Sequence, residues 1–244
     1  MTTSSDQSEG SSRQEPTLRA DAERNRERIV QAARKRFATD GLDVSMASVA
    51  REAGLGKATL SRHFATRDDL INAVFADRMD AYLALTTEAL ADPDPWRAFT
   101  DFITSVCAMQ AADRGFAAVL SMTFPAAEKL EARRHEAYLG FLELIARANA
   151  TGHLQPDFVS EDLVVLLMAN AGVIAATADA APGSWRRLVG QMLRAYATPG
   201  APTPPIPPPP SSAGLYRAMA TPRDPAKRPR RQPASPEAPH RGSS

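Results

Sequence analysis

The chain has 244 residues with 29 Lys and Arg against 28 Asp and Glu, and its formal net charge of +1 excludes a uniformly basic protein. Its one cysteine, Cys107, excludes an internal disulfide framework and a cysteine-based metal cluster and fits a reducing cytoplasm. Between two polar tails lie about 180 residues, room for a small domain and one larger helical domain with its own core.

Residues 1–20 begin MTTSSDQSEGSSRQEPT, a polar, serine-rich stretch without an apolar run, expected to be a disordered tail and not a signal peptide. From Ser45 to Arg67, SMASVAREAGLGKATLSRHFATR reads as two short helices around a glycine turn. Ser45 can cap the first, whose Met46, Val49, Ala50 and Ala53 repeat at three and four residues, and Gly54 supplies the freedom to reverse. The second runs from Lys57 with Leu60 and Phe64 on one face, until Thr66 opens a further helix with Asp69 three residues on. Turning by the helical period leaves Ala58, Thr59, Ser61 and Arg62 away from that stripe, with Lys57 at the positively polarised helix start. Small side chains let a helix approach base edges, hydroxyls reach bases or phosphates, and cations neutralise phosphate charge. Such a helix can lie in a major groove.

Ordinary helical domains also contain such pairs, and the placement of charge distinguishes the two readings. Residues 24–67 hold ten cations and four anions, whereas residues 68–200 hold ten cations and seventeen anions. The first 23 residues carry −3 and the last 44 carry +5, which is how the whole-chain value hides the segregation. Because 25 of the 29 cations are arginine, their position carries more meaning than their number.

The run RIVQAARKRFATDGLDVSMASVAREAGLGKATLSRHFATRDDLINAVF, residues 28–75, resembles the N-terminal DNA-binding domain of TetR/AcrR-family transcriptional regulators over about a fifth of the chain. The resemblance implies an all-α protein, with an N-terminal three-helix helix-turn-helix DNA-binding domain and a C-terminal helical ligand-binding and dimerisation domain. It implies a first helix with Ile29, Val30, Ala33 and Phe37 on its inner stripe and Gly41 at its end, and a linking fourth helix from Thr66. Carried over residue by residue, Lys57, Ala58, Thr59, Ser61 and His63 match recognition-helix positions that meet bases or phosphates. Arg67 matches a basic position contacting the backbone beyond, and Ser45 a hydroxyl position that holds a phosphate; Arg62 joins the DNA-binding set from its outward place on the helix. Family members usually have tyrosine where this chain has Ser61, and often arginine where it has Ala47, so the resemblance leaves the operator sequence open. His63, next to Phe64, serves equally as packing against the inner side.

Beyond the linking helix, roughly Arg67 to Leu90, DPDPW carries two prolines that stop one helix and begin another near Trp96. Further helices are expected near 95–111, 113–121, 126–150, 160–178 and 184–197, divided by Asp113, Pro125, Gly152 with Pro156, and Pro182 with Gly183. Period-two alternation and Asn-Gly dipeptides are absent, which leaves an all-helical fold. The expected organisation is a DNA-binding domain at 21–66, an effector-binding and dimerisation domain at 67–199, and a disordered, proline-rich basic tail at 200–244. Fourteen of the twenty prolines lie from Pro199 on, and KRPRR follows at 227–231. Lys227, Arg228, Arg230 and Arg231 either add nonspecific DNA affinity or belong to a dispensable solvated segment.

The uncharged apolar run Leu163 to Ala178 has sixteen residues, short of the ~20 of a membrane span, and reads as a buried helix; no membrane partner is expected. No Ser/His/Asp arrangement, HExxH or phosphate-cradling glycine loop is present, and His135 and His153 stand apart, so catalysis, a metal and a cofactor are not expected. Cys107 reads as a small buried apolar group rather than a reactive thiol. Candidate ligand contacts are Trp96, Phe99, Phe102, Met109, Phe116, Met122, Phe124 and Tyr138; most must be core, and the resemblance implies that some line a cavity for a small effector.

One helix-turn-helix contacts too few groups for useful affinity, so a homodimer on double-stranded DNA, reading half-sites ~34 Å apart, is expected. Candidate interface residues are Leu163, Leu166, Leu167, Ala171 and Ile174, then Leu188 and Met192, where the resemblance puts a four-helix contact. A monomer with a fully buried central helix is the other reading. The implied mechanism is a cytoplasmic repressor released from a palindromic operator when a small molecule shifts its population of conformations. A ligand-responsive activator and an architectural, nonspecific DNA-binding protein stand as alternatives.

Overall fold

The computed structural model describes residues 14–177 and 179–220, with side chains from Arg19 onward. Among the described residues ten helices follow one another: α1 (Gln14–Asp40), α2 (Met46–Glu52), α3 (Lys57–His63), α4 (Arg67–Ala91), α5 (Pro95–Ala112), α6 (Arg114–Ser121), α7 (Glu128–Ala150), α8 (Ser160–Thr177), α9 (Ser184–Tyr196) and α10 (Ser212–Ala220). The one β interaction among the described residues is an isolated antiparallel bridge between Leu154 and Ala197.

The punctuation expected from the sequence sets most boundaries. Gly41, at φ +81°, ends α1 by donating its N–H to the Phe37 carbonyl at 3.1 Å. Thr66 opens α4 with a reciprocal capping box: its hydroxyl accepts from the Asp69 N–H at 3.0 Å, and the Asp69 carboxylate accepts from the Thr66 N–H at 2.9 Å. Asp94 caps α5 with Pro95 in its first turn, and Asp113 caps α6. Between these caps the apolar stripes bury themselves, with Ile29, Ala33 and Phe37 on α1 at or near complete burial and Val30 only half-buried.

The disordered N-terminal tail expected over residues 1–20 is corrected where the structure describes it: α1 already begins at Gln14, and residues 1–13 lie outside the described residues. Arg, Glu and Ala, all good helix formers, make up about half of α1, Pro16 sits in its first turn where no N–H is needed, and Asp21 pairs with Arg24 one turn on.

One core joins both halves of the molecule. Phe37 of α1 stacks on Phe75 of α4 with ring centres 6.0 Å apart, and Phe75 meets Phe116 of α6 at 6.3 Å. In the C-terminal half, Phe99 touches Trp96 at 5.7 Å, Phe141 at 6.3 Å and Phe158 at 5.2 Å, while Phe102 packs on Phe141 at 5.4 Å and on Tyr82 at 6.1 Å. α4 and α7 approach so closely that Gly140 leaves no room for a Cβ against the Thr86 side chain. A buried polar pair ties α5 to α8: Asn170 donates to the Gln110 side-chain oxygen at 2.8 Å and to the Cys107 carbonyl at 3.2 Å. Gln110 in turn donates to the Leu167 carbonyl at 3.3 Å. Cys107 is fully buried, and burial pushes its thiol up to about 12.

Two further expectations change. The tail from residue 200 is ordered to Ala220: the Pro202 carbonyl accepts from the Trp96 indole N–H, the Pro207 carbonyl accepts from Arg187 at 2.8 Å, and α10 packs on α8. A proline-rich segment cannot build its own core, but its unpaired carbonyls and rings can complete another one. The KRPRR stretch at 227–231 lies outside the described residues.

The α8 helix is not buried all round. Leu163, Leu166, Leu167 and Ile174, expected at a subunit interface, are each buried inside this chain, whereas Val164, Val165 and Met168 are 46%, 64% and 53% exposed, alongside exposed Ala169, Gly172 and Ala175. Ala171, Leu188 and Met192 are half-buried. A helix apolar on every side hides from periodicity which face turns inward. α8, at eighteen residues, also has the length and composition of a membrane span, but it packs one face against α5, α6 and α9.

Candidate nucleic-acid interface

Helices α2 and α3, seven residues each, are too short to persist alone, so neighbouring groups must hold them. The Ser45 hydroxyl accepts from the Ser48 N–H at 3.2 Å and caps α2. Arg28 of α1 donates to the Ala53 carbonyl at 2.7 Å, capturing the end of α2 beside Gly54, whose φ of +65° makes the reversal. Lys35 of α1 pairs with Glu52 at 2.6 Å, and that hydrogen bond and charge hold the Glu52 carboxyl below its ordinary range. Beneath the turn, Val49, Ala50, Leu60 and Phe64 are buried against α1, and Arg26 lies 5.5 Å over the Phe64 ring.

With Leu60 inward, the outer face of α3 presents Lys57, Ala58, Ser61 and Arg62 to solvent, and Thr59 and His63 half-buried at its borders. Ser45 is exposed just before α2. Arg67, half-buried at the start of α4, reaches Asp43 at 3.4 Å. Of the eight positions singled out from the sequence, six therefore lie on α3, Ser45 is the cap of α2 and Arg67 is the first residue of α4.

The charge around them divides into two kinds. Arg24, Lys35, Arg36 and Arg67 pair with carboxylates, Arg28 and Arg34 donate to the carbonyls of Ala53 and Val74, and Arg26 covers a ring. Lys57 and Arg62 are exposed and make no ion pair among the described residues. The basic excess legible in the sequence is thus partly scaffolding. Its outward share is Lys57 and Arg62 on α3 together with exposed Arg51 on α2, which donates to the Ser48 hydroxyl at 3.5 Å, and none of the three pairs with a carboxylate among the described residues.

The eight ligand candidates divide among core, surface and one cavity. Trp96, Phe99, Phe102, Phe116 and Phe124 are buried in the ring ladder and core, Met109 is half-buried, and Met122 is exposed beside a different cavity near the end of α1. Only Tyr138 of the eight lines the partly open cavity of about 260 Å³ bordered by residues of α4, α6, α7 and α8. Aromatic residues at helical spacing went to the core, the use that periodicity favours. Tyr82, Arg134 and His135 line that cavity and were missed; a tyrosine inside an otherwise apolar linking-helix stripe was the available signal.

Residues 29–74 match the family model for bacterial regulatory proteins, tetR family, and residues 94–194 match that of the transcriptional regulator SbtR-like, C-terminal domain. Over 67 residues the chain is 39% identical to the HTH-type transcriptional regulator SAUSA300_2515 of Staphylococcus aureus, covering 27% of this chain. That match spans 36% of the length of the curated relative. The TetR transcription regulatory protein from Mycobacterium vanbaalenii is 30% identical, covering 74% of this chain and 99% of that one, with a TM-score of 0.40. In fold, NalD, the secondary repressor of the MexAB-OprM multidrug efflux pump in Pseudomonas aeruginosa, gives a TM-score of 0.54 at 19% identity, covering 74% and 99% of the two chains.

Fold and site together define a helix-turn-helix DNA-binding protein. The chain belongs to the TetR family of bacterial regulatory proteins.

Proposed function

We propose that two copies of this chain read a two-fold symmetric DNA operator with α3 and repress transcription until a small molecule releases them. The observation that carries this reading is α3 itself, a short helix braced from behind by Leu60 and Phe64 with unpaired Lys57 and Arg62 on its open face. In a major groove, Ala58 lets the backbone approach, Thr59 and Ser61 meet bases or phosphates, and Lys57 and Arg62 neutralise phosphates. The Ser45 oxygen is taken by the cap, so its hydroxyl proton is left to donate to a phosphate, and Arg67 exchanges Asp43 for another. His63, at the C-terminal end of α3, serves a phosphate or the packing beneath.

The reading assigns residues 21–66 to DNA and residues 67–199, with the arm to Ala220, to effector binding and dimerisation. The second copy is assigned to the open apolar face of α8, Val165, Met168, Ala169 and Gly172, with half-buried Ala171, Leu188 and Met192 at its margin. No catalytic step, metal or cofactor is assigned, and the place of action is the cytoplasm, with the DNA.

Selection of bound duplexes from random DNA tests this directly: a palindromic consensus supports it, and binding without sequence preference favours an architectural role. The double variant Thr59→Ala, Arg62→Ala is expected to lower affinity for the selected duplex at least tenfold and to reduce the salt slope by about 1. Unchanged affinity and unchanged sequence choice overturn the assignment. Val165→Asp with Met168→Asp is expected to give monomers in sedimentation while leaving the fold intact.

A further inference from the structure

Beyond residue 194, where the match to the family's C-terminal domain ends, the chain continues through an arm into α10. Seven prolines between Pro202 and Pro210 restrict the backbone and stiffen the arm, and two of its carbonyls are fastened, that of Pro202 to the Trp96 indole and that of Pro207 to Arg187. The arm delivers α10 to one place, just past the end of α8. There the Ser211 hydroxyl accepts from the Gly214 N–H at 3.1 Å, and a Cβ on Gly214 would lie 2.9 Å from the Ala180 carbonyl oxygen.

The side chains of α10 are arranged in the reverse of what a cover for its own subunit needs. Small residues face inward, Gly214 buried and Ala218 half-buried one turn on, while Leu215, Tyr216 and Met219 on the other side are 38%, 71% and 78% exposed. Nine residues do not persist as a helix by propensity alone, and large apolar groups left in water add nothing to their folding. Of the eleven exposed large apolar side chains among the described residues, six lie on α8 and α10, two helices in contact with each other. Apolar groups gathered in this way mark an interaction surface.

The area points to the occupant. An eighteen-residue helix such as α8 offers one side about 27 Å long and about 10 Å wide, roughly 270 Å², a third of the ~800 Å² that each partner brings to a stable interface. Leu188 and Met192 of α9 add only half-buried edges. α10 supplies further apolar area beside α8, and its Tyr and Met are residue types enriched at interfaces. A helix lying on a membrane would carry several cations on its polar face, whereas α10 carries Arg217 alone.

We propose that α10 is a clasp for a second copy of this chain, with Leu215, Tyr216 and Met219 closing on the partner subunit next to the α8 faces. The inference rests on the two-copy reading proposed above and adds to it a surface beyond the family-matched segment. Holding α10 on a stiff, fastened arm leaves little to be ordered when the copies meet.

The test uses the full chain. Sedimentation over a concentration series gives the dimer dissociation constant, which Tyr216→Ser with Met219→Ser is expected to raise at least tenfold while helical circular dichroism stays unchanged, because both side chains stand in water in a single copy. A photoreactive benzoylphenylalanine placed at Tyr216 is expected to give a covalent dimer on irradiation. An unchanged dissociation constant, or irradiation that joins no second copy where sedimentation shows dimers, overturns the proposal. Val165→Asp with Met168→Asp separates the two readings. Dimers broken by that pair but indifferent to Tyr216 and Met219 remove the clasp alone, dimers that need Tyr216 and Met219 but not Val165 and Met168 remove the α8 assignment alone, and a chain monomeric at every concentration, with and without a selected duplex, removes both.

Discussion

The DNA-reading end and the effector end of this chain are held together by different forces. Around α2 and α3 a few apolar groups, Val49, Ala50, Leu60 and Phe64, pack on α1, and much of the restraint is individually weak and polar: the Ser45 cap, the Arg28 bond to Ala53, the Lys35–Glu52 pair and the Thr66–Asp69 box. In the C-terminal half they are rings, Trp96, Phe99, Phe102, Phe141 and Phe158 in continuous contact. A unit of some 46 residues cannot bury enough apolar surface to stand firmly alone, so it leans on its neighbour through Phe37, Phe75 and Phe116. The larger half has surplus core. It can leave an apolar helix face open, with Val165 and Met168 of α8 turned to solvent.

The largest effect that sharpens this contrast is expected from Phe99→Ala, which removes a fully buried ring touching three others. The loss should be about 3–5 kcal/mol, read as a lowered urea midpoint with an unchanged slope. A loss below about 1 kcal/mol would mean that the rings do not hold the effector half.

The same contrast explains how much the sequence disclosed. Caps and glycines act locally, so Ser45, Gly54, Thr66 and Asp94 set their boundaries whatever the rest of the chain does, and the helix-turn-helix was legible to within a residue or two. Facing is a long-range property. In α8 the apolar residues run all round, so Leu163, Leu166, Leu167 and Ile174 could not be told from Val165 and Met168 until α5, α6 and α9 were in place. Which arginines were scaffolding was hidden for the same reason, because the partner of Arg28 or Arg34 lies 25 or 40 residues away. The cavity was hidden most of all. Its polar wall gathers Tyr82, Glu131, Arg134 and Ser160 from three helices, and no spacing rule relates them.

The ordered arm gives the next largest effect. Ending the chain after Pro199 removes the acceptors of the Trp96 indole and of Arg187 and uncovers Gly190, on which Pro207 lies. A destabilisation of about 2–3 kcal/mol is expected, with a red shift of tryptophan fluorescence as Trp96 gains water. An unchanged melt would return the arm to the role of a dispensable tail. Somewhat smaller, Asn170→Ala should cost about 2 kcal/mol by leaving the buried Gln110 amide short of a partner, whereas Gln110→Leu with Asn170→Leu should be close to neutral. That double-mutant result separates hydrogen-bond loss from simple loss of packing.

The smallest effect tests the other side of the comparison. Thr66 is exposed, and its hydroxyl satisfies one N–H at the start of α4, so Thr66→Ala should cost about 1 kcal/mol and lower the melting temperature by roughly 2–4 °C, with Thr66→Ser restoring most of it. Its local consequence should exceed its global one, because the first turn of α4 positions Arg67 directly beyond α3. Amide exchange at Asp69 should accelerate about fivefold while exchange around Phe99 stays unchanged, since a lost cap frays its own turn before it reaches the ring core. If Thr66→Ala instead destabilises the whole chain as strongly as Phe99→Ala, the DNA-reading end is not held by separable weak restraints, and the division between the two halves fails.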